Sequence, residues 1–591
     1  MSVWNSSETL IERNNDVLRR GLFTTKYYES LLTFERNPNS AYRIYSYQAD
    51  RLAACLRGIG LAAGDRFGIW SPNSTQWIIA TFAAARCGLI SVALNPLYRK
   101  KEMEYCLKKV GVKALLAPEM HKNDYYYQIL TEVVPEMAYS RNGIIESSTL
   151  QEFKHVVLLT DKDDLPGVIP YKKLMASACA ADVAAVERDA LAVDPDAGCN
   201  IQFTSGTTGN PKAALLSHHN IVNNGYYIGL RNELNAAHRK ICVQVPLFHV
   251  FGLVITLSSA IQHGATLVLP SAKYSPTANV DALIAEQCDY VHGTPTMHID
   301  LVNTVRNRNV TGLRVRTAVT GGSPVTPQLV QDLKHTLGLA TVKAGNALVT
   351  PLGLQESMGG GDHLLIGGSP ARLPHKYPTY KKYSVYGLTE ATAVSFQSVP
   401  GEDPQRPLHY VGDLHDHLEA KIVDEKNNIV PFGATGELWI RGYQIMKGYW
   451  GDEVKTQETI TPDGWLKSGD QMVLHEDGYG QIVGRLKDLI IRGGENIAPK
   501  EIEDTLTTHP DVVDCQVIGV HDDRLGEEVC AVVRLREGVE LNSKKLTLHC
   551  QSSLAKYKVP KLFKQVDSFP KTASGKVQKH KLKNMIESGQ L

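Results

Sequence analysis

Between two apolar runs, Ile201-Gln202-Phe203 and Ala213 to Leu216, the chain reads Thr204-Ser-Gly-Thr-Thr-Gly-Asn-Pro-Lys212. The runs on either side are strand-like, so the segment between them is a loop whose ends are fixed. Gly206 and Gly209 lack a Cβ, which lets the backbone take φ > 0 and bring its N–H groups close to an anion. Ser205, Thr207 and Thr208 add hydroxyl donors, and Lys212 adds a positive charge. The pattern is not the Walker loop, which needs Gly-Lys-Ser/Thr after a four-residue gap. Ser/Thr/Gly stretches are commonly plain surface loops. Here the density of donors between two apolar runs favours a phosphate grip.

The rest of the chain alternates apolar runs with helical patterns, which implies α/β units around largely buried sheets. Arg66 to Ser71 reads as a strand, Thr75 to Cys87 as a helix and Leu89 to Leu94 as a strand. Ala265 to Leu269, Asp281 to Gln287 and Tyr290 to Gly293 repeat that order. From about Gly436 the texture becomes short β segments and turns. A small α+β unit follows, with a helix over Pro499 to Thr507 and strands near Val512 to Val520 and Glu528 to Leu535. The expected fold class is α/β. A large N-terminal domain (1–486) of α/β subdomains plus a β-rich subdomain precedes a small mobile α+β C-terminal domain (487–591).

One stretch breaks the alternation. After the helical Gln328 to Leu337, the next strand-like run is Lys382 to Val385. Between them lie Gly359-Gly-Gly361, a second Gly-Gly-Ser-Pro at 367–370 and Pro/Lys/Tyr-rich sequence. Structureless loops beyond about 15 residues are uncommon in compact domains, so 341–378 reads as an insertion. A lid or docking loop, or an addition without function, are the open readings.

At 591 residues the chain exceeds one domain. Its 63 basic and 62 acidic side chains nearly cancel, leaving no electrostatic footprint for nucleic acid. Ten cysteines are scattered without a C-x-x-C pair, so neither a zinc site nor a disulfide framework is expected. The most apolar stretch, Val250 to Leu269, is broken by Ser258, Ser259, Gln262, His263 and Gly264. It reads as a buried helix and strand, not a membrane span. Near the N-terminus, Arg13, Arg19, Arg20 and Lys26 suit a transit peptide, while Glu8, Glu12 and Asp16 argue against one.

Four further motifs carry chemistry. Tyr386-Gly-Leu-Thr-Glu390 offers a flat ring for a base, a hydroxyl for a phosphate and a hard oxygen for Mg²⁺. Trp465-Leu-Lys-Ser-Gly-Asp470 ends in an acid that suits ribose hydroxyls, though turn capping is the plainer role. Gly484-Arg-Leu-Lys-Asp-Leu-Ile-Ile-Arg-Gly-Gly-Glu-Asn496 combines a basic turn with glycines that permit close approach. Lys571-Thr-Ala-Ser-Gly-Lys-Val-Gln-Lys579 places Lys576 on a basic stretch near the C-terminus.

Together, in this order, the motifs resemble the adenylate-forming enzymes: acyl-CoA synthetases, firefly-type luciferases and peptide-synthetase adenylation domains. The resemblance runs from about Arg43 to Lys583. Gly68-Ile-Trp-Ser-Pro-Asn73, Ala93-Leu-Asn-Pro-Leu-Tyr98, Asn200-Ile-Gln-Phe-Thr204 and His292-Gly-Thr-Pro-Thr-Met297 are most similar to the medium-chain acyl-CoA synthetases. It implies a two-step reaction with ATP, Mg²⁺ and CoA: a carboxylic acid becomes an acyl-adenylate, and the thiol of CoA then takes the acyl group. By motif, Thr204, Ser205, Gly206, Thr207, Thr208, Gly209 and Lys212 hold the β- and γ-phosphates. Thr389 contacts the α-phosphate and Glu390 ligates the metal. Tyr386, Gly322 and Ser323 flank adenine, and Asp470 and Arg485 bind ribose. Lys576 bridges carboxylate and α-phosphate, and Lys487 is the hinge. Gly493, Gly494 and Glu495 line the CoA tunnel. Pro246-Leu-Phe-His-Val-Phe-Gly252 matches the family's acyl-pocket segment, where His249 gates the carboxylate. Position 249 is His where amino-acid-activating domains carry Asp, which argues against amino acids.

Two departures stand out: Ala213 follows Lys212 where the family has glycine, and the insertion precedes Tyr386. The alternatives are therefore an aryl-acid or luciferase-like enzyme, or an inactive nucleotide-binding protein blocked by the insertion. The family implies the mitochondrial matrix, with the cytoplasm as the alternative.

Overall fold

The computed structural model describes residues 10–12, 41–121, 125–140, 143–204, 211–321, 327–345, 381–402, 410–485, 488–492, 495–497, 499–522, 524–551, 554, 556–571 and 577–591. Two eight-stranded sheets dominate. In the first, the strands Gly198–Thr204, Ile90–Ala93, Arg66–Ile69, Val112–Pro118, His155–Leu159 and Ile169–Pro170 run parallel in that spatial order. Lys212–Ser217 adds antiparallel to Gly198–Thr204, and the short Gly448–Tyr449 closes that edge. Parallel strands are covered on both faces, so they are apolar throughout. Ile90–Ala93 is buried at all four positions.

The second sheet runs Thr266–Val268, Lys240–Val243, Tyr290–Gly293, Thr317–Thr320, Thr341–Gly345 and Lys381–Tyr386 in parallel. Phe396–Gln397 and Asp413–Leu414 finish it antiparallel. The helices Pro276–Glu286, Pro295–Asn307 and Pro327–Leu337 contribute Leu283, Leu301 and Leu333 to one core on this sheet. A third, antiparallel sheet contains Leu418–Val423, Thr435–Gly442, Leu466–Leu474 and Gly480–Arg485, with Leu10–Glu12 on its edge. The fourth pairs Val512–Asp522 with Gly526–Leu535, joined by Ile490–Arg492, Glu495–Ile497 and Leu562–Gln565. The helices Pro499–Thr507 and Lys579–Glu587 pack on its strand Val512–Asp522. The fold is thus a large N-terminal α/β body with a β-rich part and a smaller C-terminal α+β unit.

The extent of the insertion is corrected at its start. Thr341–Gly345 is an inner strand between Thr317–Thr320 and Lys381–Tyr386. Its Thr-Val-Lys-Ala-Gly sequence has one large apolar residue, Val342, which is fully buried. An apolar run is too weak a signal to reveal such a strand. The remainder, 346–380, lies outside the described residues.

Among the described residues no helix is long and apolar enough to cross a membrane. The Val250 to Leu269 stretch forms a π-helix, Phe251–Ser258, then the helical turn Ser259–Gln262 and the strand Thr266–Val268. All ten cysteines are free thiols, and of these Cys179 is exposed.

Candidate active site

The phosphate-loop candidate is a β-hairpin connection. Thr204 and Lys212 face each other as the last pair of the Gly198–Thr204 and Lys212–Ser217 ladder, which fixes the span of the loop between them. Tyr105 steadies one end by donating its hydroxyl to Pro211 O at 3.1 Å. The Lys212 Nζ lies 4.9 Å from the centre of the Tyr449 ring, within cation–π range. Tyr449 is held there by backbone pairing. Gly448–Tyr449 ladders on Leu215 and Ala214, and Trp450 N donates to Ala213 O at 2.8 Å.

The Tyr449 hydroxyl donates to Glu390 Oε1 at 2.8 Å. Burial first, and then the neighbouring Glu390 carboxylate, push the phenol pKa well up, so it stays a donor at neutral pH. Lys212, Tyr449 and Glu390 therefore form one chain of contacts between the first two motifs. Sequence reasoning missed Tyr449. Its only signal is the short run Lys447-Gly-Tyr-Trp450, which names no chemistry until the strand pairing is known.

Glu390 stands in a 3-10 turn, Thr389–Ala391, just past the strand Lys381–Tyr386. Glycine is obligatory between them, because a Cβ on Gly387 would lie 1.8 Å from Ala393 O. Thr392 then takes φ +63, a strained value for a β-branched residue. Its hydroxyl donates to Gln444 O at 2.6 Å, and Met446 N donates to Glu390 O at 2.9 Å. Thr389 and Glu390 are both half-buried.

Tyr386 joins the second motif to the third. Its hydroxyl donates to Asp470 Oδ2 at 2.6 Å, and its ring meets Phe396 edge-on at 6.2 Å. Both Tyr386 and Asp470 are 3% exposed. Asp470 N donates to Ser468 Oγ at 3.1 Å, and Asp470 is paired across the ladder with Arg485.

His249 follows the strand Lys240–Val243 on the same carboxyl edge of the second sheet as Tyr386. Its Nδ1 accepts from Phe251 N at 3.1 Å, so the neutral ring carries its proton on Nε2. Gly252 allows the tight turn, since a Cβ there would lie 2.2 Å from Pro246 O. Asn73 ties this segment to the first sheet, donating to Val245 O at 2.9 Å and accepting from Leu247 N at 2.8 Å. The π-helix after His249 carries Leu253 and Leu257 into a crevice of about 50 Å³, also lined by Phe82, Val222 and Ile261.

Ser205, Gly206, Thr207, Thr208, Gly209, Gly322, Ser323, Lys487, Gly493, Gly494 and Lys576 lie outside the described residues. Arg485 and Glu495 are placed by their strands alone. The structure thus brings together Thr204, Lys212 and Glu390, and separately Tyr386 and Asp470. Its carboxyl edge adds His249, where open α/β sheets bind ligands.

The sequence profile of the AMP-binding enzymes matches residues 31–348 and 345–450, and that of their C-terminal domain matches 501–576. The chain belongs to this family. It is 38% identical to the mitochondrial medium-chain acyl-CoA ligase ACSF2 of Danio rerio, over 95% of this chain and 86% of that protein. It is 32% identical to the putative acyl-CoA synthetase YngI of Bacillus subtilis, over 93% of this chain and 92% of that protein. ATP-bound MatB from Rhodopseudomonas palustris superposes with a TM-score of 0.71 at 24% identity, covering 93% of this chain and 94% of that one. The anthranilate CoA ligase AuaEII in complex with anthranoyl-AMP gives 0.73 at 21% identity, covering 93% of each chain.

Proposed function

We propose that this ATP-dependent, AMP-forming acyl-CoA ligase activates a medium-chain fatty acid. The carboxylate oxygen attacks the α-phosphorus of ATP, the bond to the bridging oxygen breaks, and pyrophosphate leaves. The CoA sulfur then attacks the acyl carbon, giving the thioester and releasing AMP. The observation that carries this reading is the contact chain Lys212–Tyr449–Glu390, which unites two phosphate-handling motifs from separate sheets.

In this reading Thr204 to Gly209 and Lys212 hold the β- and γ-phosphates, and Thr389 meets the α-phosphate. Asp470 and Arg485 bind ribose, while Tyr386, Gly322 and Ser323 flank adenine. Lys576 bridges the carboxylate and the α-phosphate. Charge moves onto phosphate oxygens in the transition state, so fixed cations and donors aimed there are the main catalytic means. Glu390 suits Mg²⁺, an ion that takes one or two carboxylates beside phosphate oxygens. Tyr449 engages Oε1, and Glu390 would hold the metal, which would neutralise charge on the phosphates. His249 borders the carboxylate. Lys487 is the hinge about which the C-terminal unit turns, and Gly493 to Glu495 then line the path of CoA.

One observation supports the medium-chain assignment: the Danio rerio relative carries that name over nearly the whole chain. Mitochondrial location is proposed from the same relative.

The test is a panel of C6 to C14 and aromatic acids, scored by carboxylate-dependent ATP–pyrophosphate exchange and by AMP release with and without CoA. A maximum among the medium-chain acids is expected, and an aromatic maximum would replace that assignment. Absence of exchange with every acid would remove the ligase reading. Lys576→Ala is expected to lower exchange roughly 10²–10³-fold, the usual cost of losing one transition-state donor.

A further inference from the structure

The helix Pro295–Asn307 begins just past the strand Tyr290–Gly293, on the carboxyl edge of the second sheet that also carries His249 and Tyr386. Lys571 reaches this edge from the C-terminal unit. Its Nζ donates to Thr296 Oγ1 at 2.9 Å, across 275 residues of sequence. Asp300 lies one helical turn beyond Thr296 and so shares its face. The Tyr274 hydroxyl lies 2.9 Å from Met297 O and 3.3 Å from Asp300 Oδ2, which orients the carboxylate. Burial raises the Asp300 pKa, and Tyr274, Lys571 and Arg534 oppose that rise. Across the seam, Asp514 and Arg534 face each other in the fourth sheet. Burial raises the Asp514 pKa as well, and Arg534 first and then Lys571 oppose that rise. Two acids and two bases, drawn from both parts of the chain, thus form one cluster at the seam.

Lys571 also pairs with Val577 in an antiparallel bridge. The contact with Thr296 therefore holds Lys571 and Val577, which flank the segment containing Lys576, at the carboxyl edge of the second sheet. We propose that Lys571, through Thr296 and Asp300, is a positioning residue that seats the C-terminal unit for acyl-adenylate formation and not for thioester formation. The inference rests on the ligase reading, in which the unit turns between the two half-reactions. A turn of the unit carries Lys571 away from Thr296. Polar contacts at an exposed seam are weak in water, as a contact broken once per turnover must be.

The two half-reactions are to be measured separately in full-length Lys571→Met, Thr296→Val and Asp300→Asn. ATP–pyrophosphate exchange is expected to fall roughly three- to fivefold, in kcat rather than in KM for ATP. Thioester formation from supplied acyl-adenylate and CoA is expected to hold or rise, and Lys571→Arg to restore exchange. Equal loss in both half-reactions, or unchanged exchange, overturns the proposal. A Thr296→Cys/Lys571→Cys protein joined by a short bismaleimide should keep exchange and lose thioester formation, and retention of both overturns it. The yield of the cross-link, read on a gel, needs no activity, and its failure to form overturns the contact itself. A wild-type protein without exchange would instead remove the ligase reading.

Discussion

Glu390 is gripped from two directions: Met446 N holds its carbonyl at 2.9 Å and the Tyr449 hydroxyl holds its carboxylate at 2.8 Å. The same phenol ring lies beside the Lys212 ammonium. Removing the hydroxyl alone tests whether this link matters to the chemistry. Tyr449→Phe keeps the ring over Lys212 and leaves Oε1 without its donor. A hydrogen bond to a charged group contributes about 1.5–3 kcal/mol, so exchange should fall roughly 10- to 100-fold. The Mg²⁺ concentration for half-maximal rate should rise with it, because the carboxylate loses its orientation. A titration of Mg²⁺ at saturating ATP checks this, and an unchanged half-point would detach Tyr449 from the metal assignment. Gly387 and Thr392 show why the turn bearing Glu390 is costly to vary: one has no room for a Cβ, and the other holds a positive φ.

Among the elements, the helix Pro295–Asn307 carries a pH-dependent term. His298 is fully buried beneath it, with Nε2 3.2 Å from Val319 O. Burial lowers its pKa to about 4, against the Val319 and Gly293 carbonyls, which favour the charged ring. The unfolded chain therefore binds the proton more readily than the folded one. The fold has its full stability above the ordinary imidazole value near 6.5 and loses it as pH falls from there towards about 4. The loss attributable to this one group is at most about 2 kcal/mol between pH 7 and pH 5. Melting midpoints at the two pH values should differ less in His298→Gln than in the wild type. Equal slopes would place the acid sensitivity elsewhere. The strand Thr341–Gly345 shows where element-level reading fails. Its polar sequence is tolerated in a central position because ladder hydrogen bonds on both sides do not depend on side-chain type, while Val342 reaches the core.

For the whole molecule, the two profile matches and the four sheets describe a large body followed by a smaller unit. In the proposed cycle the unit turns about Lys487. Lys487→Ala is expected to slow thioester formation more than adenylation, because the adenylation arrangement keeps its own seam contact at Thr296. Single-turnover rates for each step check this, and equal slowing of both would remove the hinge assignment.

Much of this organisation was legible in advance. The helices near Thr75, Gln328 and Pro499, the parallel strands and the β-rich stretch after Gly436 all follow from hydrophobic period and turn residues, which act locally. The loop Thr204 to Lys212 and the motif around Glu390 stand out as candidates for the same reason, since glycines and hydroxyls at fixed spacing are a local signal. The sequence by itself thus determined the α/β class and the family, and it named the candidate residues of the site. Only tertiary structure decided that Tyr449 links Lys212 to Glu390, that Tyr386 binds Asp470, and that Lys571 meets Thr296. Those contacts depend on strand order, register and the meeting of distant surfaces, and no local spacing in a chain records which distant edge will lie beside it.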